Sequence, residues 1–126
     1  MTAPLVLVIE DNEANQLLSA SLLARDGYEV ATAGNAEQAL GWLEDNIPDL
    51  ILMDIDLPGQ DGLSLTRQLK ADRNTSGIRI VALTAFAMLG DSDHVIEAGC
   101  DGYISKPVDT RSFGAQVRNH LIERAS

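Results

Sequence analysis

The chain has 126 residues, enough for one domain with a sizeable core. Hydrophobic residues make up 45% and mean hydropathy is +0.00, which sets it apart from disordered chains and from membrane proteins. Nine basic against 19 acidic residues give a net charge of −10, which argues against the basic face that nucleic-acid binding uses.

No apolar run is long enough to span a bilayer, and no basic segment precedes a signal-like stretch. Cys100 stands alone, so no internal disulfide forms. These features predict a cytoplasmic protein that binds neither nucleic acid nor membrane.

Leu5 to Ile9 is a continuous apolar run, the pattern of a strand buried on both faces. It ends in Glu10-Asp11-Asn12, where Asp11 or Asn12 can cap the next helix. That helix carries Leu17, Leu18, Leu22 and Leu23 on a wide apolar arc and stops near Gly27. One or more of these leucines can remain exposed. Tyr28 to Ala33 partly alternates, as an edge strand does. Asn35 caps a second helix, with Ala36, Ala39, Leu40 and Leu43 at helical spacing.

Pro48-Asp49 leads into Leu50-Ile51-Leu52-Met53, a second fully apolar run, which ends on Asp54. Asp56-Leu57-Pro58-Gly59 is turn-rich. Gly62 to Arg73 reads as a third helix, with Leu65 and Leu69 on its buried side. Residues 74–77 form a loop. Ile78 to Leu83 is a fourth strand, ending at Thr84. A fourth helix follows a loop and runs to about Ala98, broken at Gly99. Gly102 to Ser105 is a fifth short strand, ending at Lys106-Pro107. Asp109 or Thr110 caps a last helix with Phe113, Val117 and Leu121 one turn apart.

Strand and helix thus alternate five times with short connections. That order predicts an α/β fold with a parallel sheet covered by helices on both faces. The expected form is a doubly wound, flavodoxin-like (βα)5 sheet in the order 2-1-3-4-5.

In such a sheet the strand ends meet at one edge, around the switch point between strands one and three. Strand one brings Glu10 and Asp11, strand three Asp54, strand four Thr84 and strand five Lys106. Taken singly, each has an ordinary reading: a helix cap, a strand terminator, a solvated lysine. Together, three carboxylates repel one another unless a cation offsets them. A hard divalent ion with oxygen ligands, Mg²⁺, suits them, with Glu10 acting mostly through water and a backbone carbonyl after Asp54 completing the set. Asp56 is counted with Glu10, Asp11 and Asp54 in this metal set. Cation, ammonium and hydroxyl around Asp54 make a clamp for a phosphoryl group, with Asp54 as nucleophile and Thr84 and Lys106 as its helpers.

The segments LVLVIEDN, PDLILMDIDLPGQDG, LTAFA and GYISKP, in this order at the strand ends, resemble the receiver domain of bacterial two-component response regulators. The resemblance runs from about Leu5 to about Ile122 and is nearest to the stand-alone kind typified by cell-division regulators. It implies an acidic pair at Glu10 and Asp11, a phosphoacceptor at Asp54, a switch hydroxyl at Thr84, a switch aromatic at Tyr103 and a phosphoryl-contacting lysine at Lys106. It also implies a cis Lys106-Pro107 peptide, and Asp56 and Phe86 as residues that influence the lifetime of the phosphorylated state.

The partners so implied are a histidine kinase or histidine phosphotransfer protein upstream and a protein target downstream. The target would read the face made by the fourth helix, the fifth strand and the last helix. The expected activity is confined to the protein's own phosphorylation and dephosphorylation, in a single domain spanning residues 1–126 without an output module. A receiver cut from a larger hybrid kinase or regulator is the alternative. Asp54-Ile55-Asp56 also matches the paired aspartates of haloacid-dehalogenase-like phosphatases, but a whole strand-helix-strand-helix unit precedes it and 126 residues leave no room for a cap domain. A flavodoxin-type cofactor site would place a Ser/Thr-rich phosphate loop where Glu10-Asp11 stands.

Overall fold

Alternate residues of the central strands enter two separate cores, one on each face of a parallel sheet. The computed structural model describes residues 3–55, 62–84, 96–106 and 108–125. The strands are β1 (Leu5–Ile9), β2 (Glu29–Ala33), β3 (Leu50–Asp54), β4 (Arg79–Thr84) and β5 (Gly102–Ser105). They lie in the order β2-β1-β3-β4-β5, all parallel, as expected from the sequence. The described helices are α1 (Glu13–Arg25), α2 (Ala36–Leu43), α3 (Gly62–Ala71) and α4 (Phe113–Ala125). Most of the fourth helix expected from the sequence falls outside the described residues. Ile96 and Glu97 are its described end.

Leu7, Ile9, Ile51, Met53, Ile80 and Ala82 pack on one face with Ala36 and Ala39 of α2, Leu65 and Leu69 of α3, and Cys100. Val6, Val8, Leu50, Leu52, Val81 and Leu83 pack on the other with Leu22 and Leu23 of α1 and Phe113 and Val117 of α4. This division explains the unbroken apolar runs: both faces of the strand meet helices, so no position is left for a polar residue. The wide arc of α1 resolves into buried Leu22 and Leu23 and exposed Leu17 and Leu18. Among the described residues no helix is long and apolar enough to cross a membrane.

Asn12, rather than Asp11, caps α1, its side chain accepting from the Asn15 amide. Asn35 caps α2 in the same way, through Gln38. Two elements start one residue later than the sequence suggests. The Tyr28 amide donates to Leu23 O to close α1, and the Ile78 amide donates to Thr75 O in the loop before β4. α3 stops at Ala71 instead of Arg73 because Asp72 gathers the following amides. Its carbonyl accepts from Thr75 and Ser76, and its carboxylate from Asn74. Asp109 likewise organises a turn before α4 through Arg111, Ser112 and Phe113, so the last helix begins at Phe113.

Candidate functional site

The parallel register brings the ends of β1, β3, β4 and β5 to one edge. Ile9 pairs with Met53, Asp54 with Leu83, and Thr84 with Ser105. The residues that follow or close these strands therefore converge. Lys106 donates its backbone amide to Thr84 O at 2.8 Å, which fixes where its side chain starts. Its ammonium Nζ lies 3.1 Å from Asp54 Oδ1 and 3.6 Å from Glu10 Oε2. Asp54 and Glu10 are each only 2% exposed, and Thr84 is fully buried, whereas Asp11 is exposed.

Glu10, Asp11 and Asp54 each offer a carboxylate oxygen, and these oxygens lie within 4.8 Å of one another. A carboxylate-only donor set of this size fits a hard divalent cation. The electrostatics point the same way. Burial, and then the Asp54 carboxylate beside it, push the Glu10 carboxyl up to about 7, against the opposing pull of the Asn12 amide and the Lys106 ammonium. One lysine does not balance this much negative charge in a buried place, and a bound cation would.

The β1–α1 turn is held by more than the cap. The Asn12 amide donates to Glu10 Oε1 at 3.2 Å, and Gln16 Nε2 donates to the Glu10 carbonyl at 3.1 Å. A cleft of about 330 Å³ opens beside the acids, lined by Asn15, Leu18, Leu83 and Val108 together with Glu10 and Lys106.

Residues 6–118 match the response regulator receiver domain family. The chain belongs to this family. It is 41% identical over 116 residues to the polar-differentiation response regulator DivK of Brucella anthropi, covering 92% of this chain and 94% of that protein. DivK of Brucella ovis is 40% identical over the same length. Among solved structures, a CheY-like receiver domain protein from Methanospirillum hungatei superposes with a TM-score of 0.87 at 30% identity, covering 98% of each chain. The receiver domain of a sensor histidine kinase from Pseudomonas aeruginosa superposes with a TM-score of 0.84 at 34% identity, covering 99% of this chain and all of that one. That structure holds a magnesium ion in its active-site cleft. Receiver domains accept a phosphoryl group on an aspartate and act with histidine kinases and downstream targets in two-component signalling.

In this receiver domain Glu10, Asp11, Asp54, Thr84 and Lys106 stand together at the sheet edge where the strand endings place them. Tyr103 lies on β5 and is 41% exposed, so its ring faces outward rather than filling the core. Asp56, Phe86, Pro107 and the loop carbonyl beyond residue 55 fall outside the described residues. Sequence reasoning missed Gln16 and the cleft residues Asn15 and Leu18. The only signal for Gln16 was its place one turn into a capped helix. Its bond to Glu10 depends on the path of the turn, which residue spacing does not specify.

Proposed function

We propose that Asp54 is the phosphoacceptor of this receiver and that its phosphorylation switches a protein-binding face. The observation that carries this reading is the meeting of Asp54 with Lys106 at 3.1 Å, inside a ring of carboxylates at the carboxyl edge of the sheet. The donor is a phosphohistidine of a kinase or phosphotransfer protein. An Asp54 oxygen forms the new O–P bond as the N–P bond of the phosphoimidazole breaks, and the imidazole nitrogen keeps the electron pair. The Lys106 ammonium stays with the negative charge of the phosphoryl oxygens, and the Thr84 hydroxyl donates to one of them.

The cation we assign is Mg²⁺, which Asp11 and Asp54 would hold, with Glu10 contributing indirectly and Asp56 counted in the same set. Mg²⁺ suits the all-oxygen donors and a phosphoryl substrate. When bound, it offsets charge on the phosphoryl oxygens. In its absence the chain's own residues still orient the carboxylate: β3 delivers Asp54, and Lys106 holds Oδ1.

Once Asp54 is phosphorylated, Thr84 is drawn toward the new oxygens. The outward Tyr103 then turns into the space that Thr84 leaves. This population shift repacks the face that bears exposed Tyr103 and Ile96, where a downstream protein docks. The protein acts in the cytoplasm and turns over no substrate besides its own phosphoryl group. The test is Asp54→Asn, which keeps size and removes the nucleophile. Base-labile labelling by acetyl phosphate or a kinase should disappear, and labelling equal to wild type would refute the assignment.

A further inference from the structure

We propose that Gln16 is a positioning residue that holds the β1–α1 turn so that Glu10 and Asp11 face Asp54. The inference rests on reading Glu10, Asp11 and Asp54 as a divalent-cation site. Beyond Ile9, the chain must leave the sheet and enter α1 within three residues. The Glu10 amide makes the last ladder bond, to Ala33 O at 3.0 Å. Ile9 with Ala33 is the last paired position of β1 and β2. The Glu10 carbonyl lies one residue past that pairing, in a residue that is 2% exposed. A buried carbonyl needs a donor, and Gln16 Nε2 supplies one at 3.1 Å.

That bond sets a direction. With its carbonyl held toward α1, Glu10 aims its side chain back over the turn, where Oε1 accepts from the Asn12 amide and Oε2 meets Lys106. The peptide that begins with this carbonyl leads directly to Asp11. Rotation of that peptide moves both carboxylates at once. Gln16 itself is half-buried on the first turns of α1, anchored by its own amide to Asn12 O at 2.9 Å. It thus links the helix, through its side chain, to the last residue before the turn. Partners that orient metal ligands typically change metal affinity by about 10-fold or more when removed.

The experiment uses the unphosphorylated full chain. Gln16→Met keeps length and helix propensity and removes the donor, and Gln16→Ala is the second variant. Mg²⁺ affinity is measured by calorimetry well below the melting temperature, beside wild type and Asp11→Ala. Amide hydrogen exchange is followed at Asn12 and along β4. The expected result is about tenfold weaker Mg²⁺ binding in both Gln16 variants, faster exchange at Asn12, and unchanged exchange in β4. Wild-type affinity in both variants, with Asp11→Ala still weakened, would overturn the positioning role and leave the cation site standing. Loss of fold in both variants, or faster exchange spread through β4, would also overturn it, because Gln16 would then be a general stabiliser. If Asp11→Ala binds Mg²⁺ as wild type does, the cation site itself is wrong and the inference falls with it.

Discussion

Glu10 carries a pH dependence that follows from its position. Its folded carboxyl titrates near 7 instead of 4.5, through burial first and the neighbouring Asp54 second. Between these values the folded state binds more protons than the unfolded one, so stability falls as pH rises through this window. Without divalent cation, the unfolding free energy from denaturant titration should drop from pH 5 to pH 7.5 by an amount on the order of 2 kcal/mol. Glu10→Gln should remove most of that slope, and saturating Mg²⁺ should oppose it at the upper end. Equal slopes in wild type and Glu10→Gln would contradict the assignment. Asp11→Ala belongs to the same argument: with one of three crowded carboxylates gone, neutral-pH stability should rise slightly, by less than about 1 kcal/mol for so exposed a group, while Mg²⁺ binding weakens. The acids, Thr84 and Lys106 were legible in the sequence because each ends a strand and parallel strands share their ends. The outward ring of Tyr103 and the reach of Gln16 were not, since both depend on rotamers and on the path of a turn.

Two devices at the level of elements keep the strand ends where the site needs them. At the start of α3, Gly62 lies against the end of β3. Its amide donates to Ile55 O at 3.1 Å, and an added Cβ would fall 2.5 Å from Ile55 Cα and 2.6 Å from Asp54 O. Backbone cannot yield as a flexible side chain does. Gly62→Ala should cost about 1–3 kcal/mol and slow phosphorylation by displacing Asp54, checked by denaturation and acetyl phosphate labelling. Wild-type stability and rate would show that the helix simply slides. At the opposite edge, Asp101 Oδ2 accepts from Lys70 Nζ at 2.9 Å and from the Ile80 amide at 2.8 Å. The same ammonium donates to Ile78 O at 2.8 Å. This bracket ties α3 to the starts of β4 and β5. Asp101→Ala should destabilise by about 1–3 kcal/mol, since it strands the Ile80 amide and takes the carboxylate from Lys70, with little change in Mg²⁺ affinity. A large loss of Mg²⁺ affinity would show that the bracket reaches the site. Helices and strands were legible from apolar spacing, whereas their ends were shifted by local bonds such as those Asp72 and Asp109 make to nearby amides.

The whole molecule is a sheet between two helical layers, and its alternating cores account for how much of the fold could be read in advance. Runs such as Leu50 to Met53 admit no polar break because Leu50 and Leu52 serve one core and Ile51 and Met53 the other. Leu52→Ala should therefore cost about 2–5 kcal/mol in thermal or denaturant unfolding, and a loss below 1 kcal/mol would show that the core closes around the gap. The same architecture builds the site: one layer order fixes one edge, and that edge collects three carboxylates, a hydroxyl and an ammonium. The central claim is that this edge phosphorylates Asp54. Its most direct measurement is peptide mapping after phosphorylation with acetyl phosphate and Mg²⁺, followed by borohydride reduction, which converts an acyl-phosphorylated aspartate to homoserine. Homoserine at position 54 is the result predicted here; homoserine at Asp11 or at another carboxylate, with Asp54 unmodified, would contradict it.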